Sequence, residues 1–382
     1  MSGGIVQLVA TGAQDAWLTG KPEVSFFRSS YKRYTHYANS PERQLIQGNP
    51  AAGNISTIRL EKKGDLINYI YLIAKDSTGS LIPGINWTNV IDKIELLIGG
   101  QIVDTQDITW MSNVEAVTGA QNFSQRYLNN NAANTPNNIT NGFLPLKFFF
   151  CKDWNVSLPL VALQYHDVEI RITWSQTLGT TLALTGLPAS ATYASFQYEA
   201  WTNFVYLDQA EREYFANTPM DLLITQLNRI PISTGNMQEL ALAHPIKFLA
   251  FSANNYTNSY GVGATQIPAA NYQFKTQING VDIGDSRSMF QWIDVPQYYH
   301  TPYGYNHGNS TANVALISYC LDTSKLQPTG TLNFSRIDTY RIVAPAGVSL
   351  STLAGGNGRY FYAMNYNVLR IKDGMGGLLY SN

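Results

Sequence analysis

The stretch Ile94-Glu95-Leu96-Leu97-Ile98, Gly99-Gly100, Gln101-Ile102-Val103-Asp104 reads as an apolar run, a two-residue turn and a returning run. Gly-Gly supplies the positive φ angles that a tight hairpin needs. The chain says the same thing again in Phe274-Lys275-Thr276-Gln277-Ile278, Asn279-Gly280, Val281-Asp282-Ile283. Other echoes follow in the same order. Pro159 precedes a strand-like run from Val161 to Thr173, and Pro328 precedes one from Thr331 to Val343. The aromatic run from Phe196 to Leu207 closes the first half, and the run from Tyr360 to Ile371 closes the second. Matches in the same order predict two similar all-β units in one polypeptide.

The 382 residues allow two domains, each able to bury its own core. Charged residues make up only 13%, about half the usual share. Aromatics reach 12%, with 24 tyrosines, so the composition is not that of a disordered chain. Sparse charge suits β-structure that packs against something else, because ionic groups are costly to desolvate. The net charge of −1 gives no global field toward nucleic acid or an anionic membrane. The two cysteines, Cys151 and Cys320, sit in apolar surroundings and are expected as buried thiols in core strands. No apolar run approaches the roughly 20 residues of a membrane helix. The start of the sequence shows no basic n-region, and Ser2 departs from the myristoylation pattern. Synthesis in the cytosol is the expectation.

Along the chain, residues 1–25 read as an N-terminal arm and 26–207 as the first β unit. Residues 208–218 form a helical junction, with Asp208 as N-cap, and 219–382 form the second unit. Alternation places a strand from Phe26 onward. The run from Ile55 to Glu61 alternates with period two, and the run from Leu66 to Ala74 suits a strand buried on both faces. Stretches 129–141, 254–271 and 300–313, rich in Asn, Gly, Thr, Ala or Tyr, read as loops, and 182–195 as a loop or weak hairpin. Helix is expected to be scarce outside the junction.

The chemical motifs weigh against catalysis. His166-Asp167-Val168-Glu169 offers metal-ligating residue types, but strand alternation sends them to opposite faces. The basic-aromatic cluster Arg28, Tyr31, Lys32, Arg33, Tyr34, His36, Tyr37 is a weak nucleic-acid patch and better explained as a structural strand and anchor. The glycine clusters at 355–358 and 374–377 lack the Lys-Ser/Thr of a phosphate loop, so turns and close packing account for them. No nucleophile elbow or zinc helix is present. Neither a catalytic residue, a metal nor a cofactor is expected. Among the Asn-x-Ser/Thr sequons, Asn138 and Asn309 fall in expected loops and are the candidates for glycosylation.

Several segments, taken together, resemble a known family. The stretch from Gly3 to Asp15, Leu18-Thr19-Gly20, and Phe26-Phe27 through Tyr34-Thr35 resemble the start of the major capsid proteins of nucleocytoplasmic large DNA viruses. The runs from Leu144 to Phe150 and Leu158 to Ile170 are similar to that family's central signature. The run from Gln327 to Asp338 is similar to its second-domain signature, and the ending from Tyr366 to Leu378 matches as well.

The resemblance implies two consecutive antiparallel jelly-roll sandwiches, a homotrimeric capsomer of near-hexagonal outline, and a place in an icosahedral virion. The partners it implies are further copies of the chain, neighbouring capsomers and minor capsid proteins beneath the shell, with an internal membrane nearby and no direct nucleic-acid binding. Gln14, Asp15, Phe26, Phe27, Arg33 and Tyr34 are the candidate assembly residues. The competing reading is a lectin-like viral surface protein, with Tyr256, Tyr260 and Tyr303 offered for sugar stacking.

Overall fold

The computed structural model describes residues 12–80, 87–119, 143–179, 192–252, 273–302, 314–354 and 360–380, with 4, 10, 82 and 85. The expected loops at 129–141 and 254–271 lie outside these residues, as do most of 182–195 and 300–313. So do the glycine cluster at 355–358, the sequons Asn138 and Asn309, and Tyr256, Tyr260 and Tyr303. The chain forms two compact units, Met1–His36 and Tyr37–Asn382.

The larger unit holds both sandwiches. The first is built from β1 (Tyr37–Gln44), β2 (Ile46–Gln47), β3 (Ile55–Arg59), β4 (Leu66–Lys75), β5 (Ile91–Ile98), β6 (Gln101–Gln106), β7 (Phe143–Pro145), β8 (Leu158–Pro159), β9 (Val168–Trp174) and β10 (Gln197–Leu207). One sheet runs β1-β10-β4-β7, with β8 also on β4; the other runs β2-β3-β9-β5-β6.

The second sandwich is built from β11 (Met220–Pro231), β12 (Met237–Glu239), β13 (Pro245–Ser252), β14 (Gln273–Ile278), β15 (Val281–Asp282), β16 (Arg287–Ser288), β17 (Val314–Ser318), β18 (Leu332–Asn333), β19 (Tyr340–Val343), β20 (Tyr360–Lys372) and β21 (Met375–Leu378). Its sheets run β11-β20-β13-β17 and β12-β19-β14-β15. Replacing β1, β10, β4, β7 by β11, β20, β13, β17, and β3, β9, β5, β6 by β12, β19, β14, β15, turns one sandwich into the other. All of these ladders are antiparallel. This is the double jelly roll, an all-β fold with a few short helices.

The two hairpins that announced the repeat form as the sequence dictates. Gly99 and Gly100 take φ of 57° and 81°, and Asn279 and Gly280 take 49° and 80°. Positive φ at both turn positions matches the right-handed twist of the flanking strands. The proline echo holds at finer grain than expected. Neither run is one strand: β8 and β18 each pass into a 3-10 turn (Leu160–Ala162 and Phe334–Arg336) before β9 and β19 begin. β8 pairs with β4, and β18 pairs with the corresponding β13.

Two expectations need correction. The first strand starts at Tyr37, and 26–36 contain none. Alternation creates a strand only where a partner ladder accepts its N–H and C=O groups, and no strand pairs with that stretch. Cys151 ends the 3-10 turn Phe149–Cys151 rather than lying in a strand, and Cys320 follows β17; both are nonetheless buried free thiols. The few helices expected in loops and at the junction are present: after Asp107 the chain is helical through Thr118, and Met289–His300 forms a helix. The junction helix itself spans Gln209–Asn217, with the Asp208 side chain accepting from Gln209 N–H.

Candidate assembly surface

Among the described residues of the unit Met1–His36 none is buried. Trp17, Leu18, Phe26, Phe27, Tyr31 and Tyr34 are all exposed. Its one described helix of more than a turn start, Ala16–Thr19, is organised by Asp15, whose carboxylate accepts from Gly12 N–H at 2.8 Å and whose carbonyl accepts from the Thr19 hydroxyl at 2.8 Å. Of the candidate assembly residues, Asp15 therefore has a local turn-forming task, and the Gln14 carbonyl accepts from Trp17 N–H at 3.3 Å. The Phe27 N–H points to the Ser25 hydroxyl at 3.4 Å. Arg33, like Phe26 and Tyr34, is exposed.

Within the larger unit the second sandwich lays its β11-β20-β13-β17 face on the first. Phe248, Ala250, Leu316, Tyr362 and Met364 belong to the same buried cluster as the first core, while Leu249, Phe251, Ala315, Phe361 and Ala363 fill the second. Alternation along each strand assigns one set to each side. That double burial explains why β20 is buried along most of its length.

Polar groups fix the seam's register. After β6, Asp107 accepts from Trp110 N–H at 2.7 Å, from the Tyr362 hydroxyl, which lies 3.0 Å from each of its two oxygens, and from Arg229 at 3.2 Å. The Trp110 ring stacks on Phe248 with centroids 6.2 Å apart and tilts against Tyr362 at 5.6 Å. Asp104 accepts from Leu227 N–H at 2.9 Å and from the Gln106 amide at 2.7 Å. Burial pushes the Asp104 carboxyl up to about 6, against the pull of those donors, and it raises Asp107 too. Buried carboxylates with several donors resist sliding, since any shift strands a charge.

The far end of the seam is basic. A cavity of about 110 Å³ is lined by residues that include Glu115, Lys152, Lys247 and Thr323. Lys247 is buried, donates to the Lys325 carbonyl at 2.9 Å and lies 5.7 Å from the Tyr366 ring centroid. Burial lowers its pKa to about 8. The Thr323 hydroxyl donates to the Thr118 carbonyl at 2.8 Å across the same junction.

The remaining motifs resolve into structure. His166 Nδ1 lies 2.8 Å from the Gly376 carbonyl, and Asp167 pairs with Arg59. Among the described residues no group of three or more His, Cys, Asp or Glu is placed to hold a metal ion. Gly374 takes φ of 77° in the β20–β21 turn, and a Cβ there would lie 2.6 Å from the Tyr165 ring; one at Gly376 would lie 2.7 Å from Leu163. That hairpin thereby clips the second sandwich to the first, with Tyr165 N–H donating to the Gly374 carbonyl at 2.9 Å. No described helix is long and apolar enough to cross a membrane.

The sequence was matched with known proteins. The family described as "Major capsid protein N-terminus" matches residues 25–208, and "Large eukaryotic DNA virus major capsid protein" matches 211–377. The chain belongs to this capsid protein family. A major capsid protein of Paramecium bursaria Chlorella virus 1 is 32% identical over 449 aligned positions that cover all of both chains. One of Pyramimonas orientalis virus is 30% identical over 420 positions, again covering both chains entirely. Among solved capsid structures, PBCV-1 VP54, in a crystal structure fitted into a cryo-EM reconstruction of the virophage Sputnik, superposes with a TM-score of 0.71 at 28% identity. That match covers 94% of this chain and 100% of the other.

The family resemblance rested on local stretches; the seam residues escaped sequence reasoning. A capping pattern, Asp107 with Trp110 three positions on, is the signal that points to the first helix. Ser288 with Gln291, a Ser-x-x-Gln box, marks the second.

Proposed function

We propose that this chain is the repeating building block of the icosahedral shell of a large double-stranded DNA virus, and that three copies close into a capsomer of near-hexagonal outline. The observation that carries this reading is the repetition of one strand order in two sandwiches within a single compact unit. Three such chains present six similar sandwiches around a ring, and a head-to-tail contact repeated three times closes it. A chain with 13% charged residues can pack its flanks without stranding many ions. Weak capsomer-to-capsomer contacts suffice in a shell, because many act together.

The arm at residues 1–25, together with the exposed Phe26, Phe27, Arg33 and Tyr34 that follow it, serves as the tether to neighbouring capsomers or to minor proteins of the layer beneath, which faces any internal membrane. The chain acts as a structural protein rather than an enzyme and is made in the host cytoplasm. Asn138 and Asn309 remain the proposed glycan acceptors. Light scattering coupled to size-exclusion chromatography, with negative-stain imaging, tests the core of this reading. Threefold particles of three times the 42.4 kDa chain mass are expected. A stable single chain at micromolar concentration overturns it.

A further inference from the structure

Lys247 is a buried charge with no counter-charge in the chain. It is 3% exposed. All 26 Asp and Glu residues of the sequence are among the described ones. None of them lies within ion-pair distance of the Lys247 ammonium, because the acids nearby are engaged elsewhere. Glu115 pairs with Lys152 at 3.2 Å, Asp322 pairs with Lys325 at 3.6 Å, and Asp153 accepts from Asn155 N–H at 2.9 Å. An ammonium carries three N–H donors. Among the described residues one acceptor meets them, the Lys325 carbonyl at 2.9 Å. A desolvated cation is costly unless it is paired. Two donors left over on such a group call for a partner from outside the chain.

The cavity at the seam has the room and the donors for one. Its volume of about 110 Å³ is several times what a single water requires. Lys247 reaches it from β13 of the second sandwich, and Lys152 from the end of the Phe149–Cys151 turn in the first. Burial lowers the Lys247 pKa most, and the charge of Lys152 lowers it further, so the two cations repel across the seam. A second donor is idle nearby. The buried Tyr366 hydroxyl has no hydrogen-bond partner, and its ring lies 5.7 Å from the Lys247 ammonium. Tyr366 stands opposite Thr225 in the β11–β20 ladder and two positions after Met364, so the three side chains share one face. Thr225 and Met364 both line the cavity. The lining carries three ammonium groups, on Lys152, Lys247 and Lys325, against two carboxylates, on Glu115 and Asp153. One positive charge is left over. Phe149, Phe248 and Leu326 make the rest of the wall apolar, which suits a weakly hydrated ion better than a multiply charged one.

We propose that this cavity binds one small monovalent anion, of halide or short carboxylate size, held between Lys247 of the second sandwich and Lys152 of the first. The ion supplies the counter-charge that the sequence does not. It also converts a repulsion across the seam into an attraction from both sides, and so ties the two sandwiches together. A nucleotide or a sugar phosphate is too large for the space. The site lies within a single chain, so it does not depend on the threefold assembly proposed above.

The test compares the full-length chain with Lys247→Met, starting from a buffer whose only anions are bulky sulfonates. Crystals are soaked in sodium bromide or in sodium acetate, and thermal melting is followed in bromide, acetate and sulfate at equal ionic strength. In the wild type, bromide is expected as an anomalous peak within hydrogen-bond reach of Lys247 Nζ, or acetate as density at the same place. The anion that binds is expected to raise the melting midpoint by about 2 °C at tenfold excess over its half-saturating concentration. Sulfate is expected to fall short of that shift. Lys247→Met is expected to lose both the bound ion and the anion-specific shift. Bromide alone in the site assigns a halide, and acetate alone assigns a carboxylate. Should the variant fail to fold, the wild-type maps decide. Water alone beside Lys247 in both soaks overturns the proposal, as does an anion shift of the same size in the folded variant.

Discussion

Tyr362 of the second sandwich donates its hydroxyl to the carboxylate of Asp107 in the first, 3.0 Å from each oxygen. The same carboxylate holds Arg229 and caps the helix through Trp110 N–H. One acid thus serves both sides of the seam. Tyr362→Phe removes a bond to a charged acceptor and is expected to cost about 1–3 kcal/mol. Asp107→Ala strands Arg229 as well and is expected to cost about 3–5 kcal/mol. Urea unfolding of both variants measures this, and equal, negligible losses would remove the seam's polar register from the account.

Asp104 gives the seam a pH signature. Its folded pKa of about 6 lies above the ordinary value, first because of burial. The folded chain therefore binds this proton more tightly than the unfolded chain. The group's stabilising share is complete below about pH 4 and is lost as pH rises through 6. Roughly two pKa units correspond to about 3 kcal/mol. Asp104→Asn, which can keep the carbonyl acceptor for Leu227, is expected to flatten the stability profile between pH 4 and 6. Superimposable profiles for the two proteins would contradict it.

Lys247 acts at the other end of the scale and with the opposite slope. Its folded pKa of about 8 lies below the ordinary lysine value, so the unfolded chain binds more protons between pH 8 and about 10. Stability from this group rises with pH over that window. Lys247→Met is expected to remove the rise and to be at least as stable as the parent at pH 7, because the desolvation cost of a buried ammonium disappears. A large loss at pH 7 with the alkaline rise retained would show that the ammonium is needed where it stands.

Removing Met1 to Lys21 separates the two levels of assembly. Tyr37–Asn382 is a compact unit without those residues, so the truncated chain is expected to melt as the parent does and to form trimers. Shells are expected to fail. Electron microscopy of assembly reactions checks this, and complete particles from the truncated chain would end the tether proposal.

How much of this was legible in the sequence depended on range. The hairpins at Gly99-Gly100 and Asn279-Gly280 are local: two residues of special φ set the turn, so reading them is reading the structure. Their recurrence, with β10 and β20 closing each half, made the double sandwich visible. The stretch from Phe26 to His36 misled because alternation describes one chain, whereas a strand exists only with its neighbour. The helix Met289–His300 hid behind Pro296 and a run of aromatics, although its Ser288/Gln291 box was present. The seam could not be read at all. Asp104 meets Leu227 across 123 positions of chain, and Asp107 meets Tyr362 across 255. No local pattern records a partner that far away.

Cys151 and Cys320 are both buried and unbridged, and burial pushes the Cys151 thiol up to about 12. A thiol so reluctant to ionise is a poor nucleophile toward oxidants. With both thiols buried, neither sulfur is offered at the surface for a covalent link between chains.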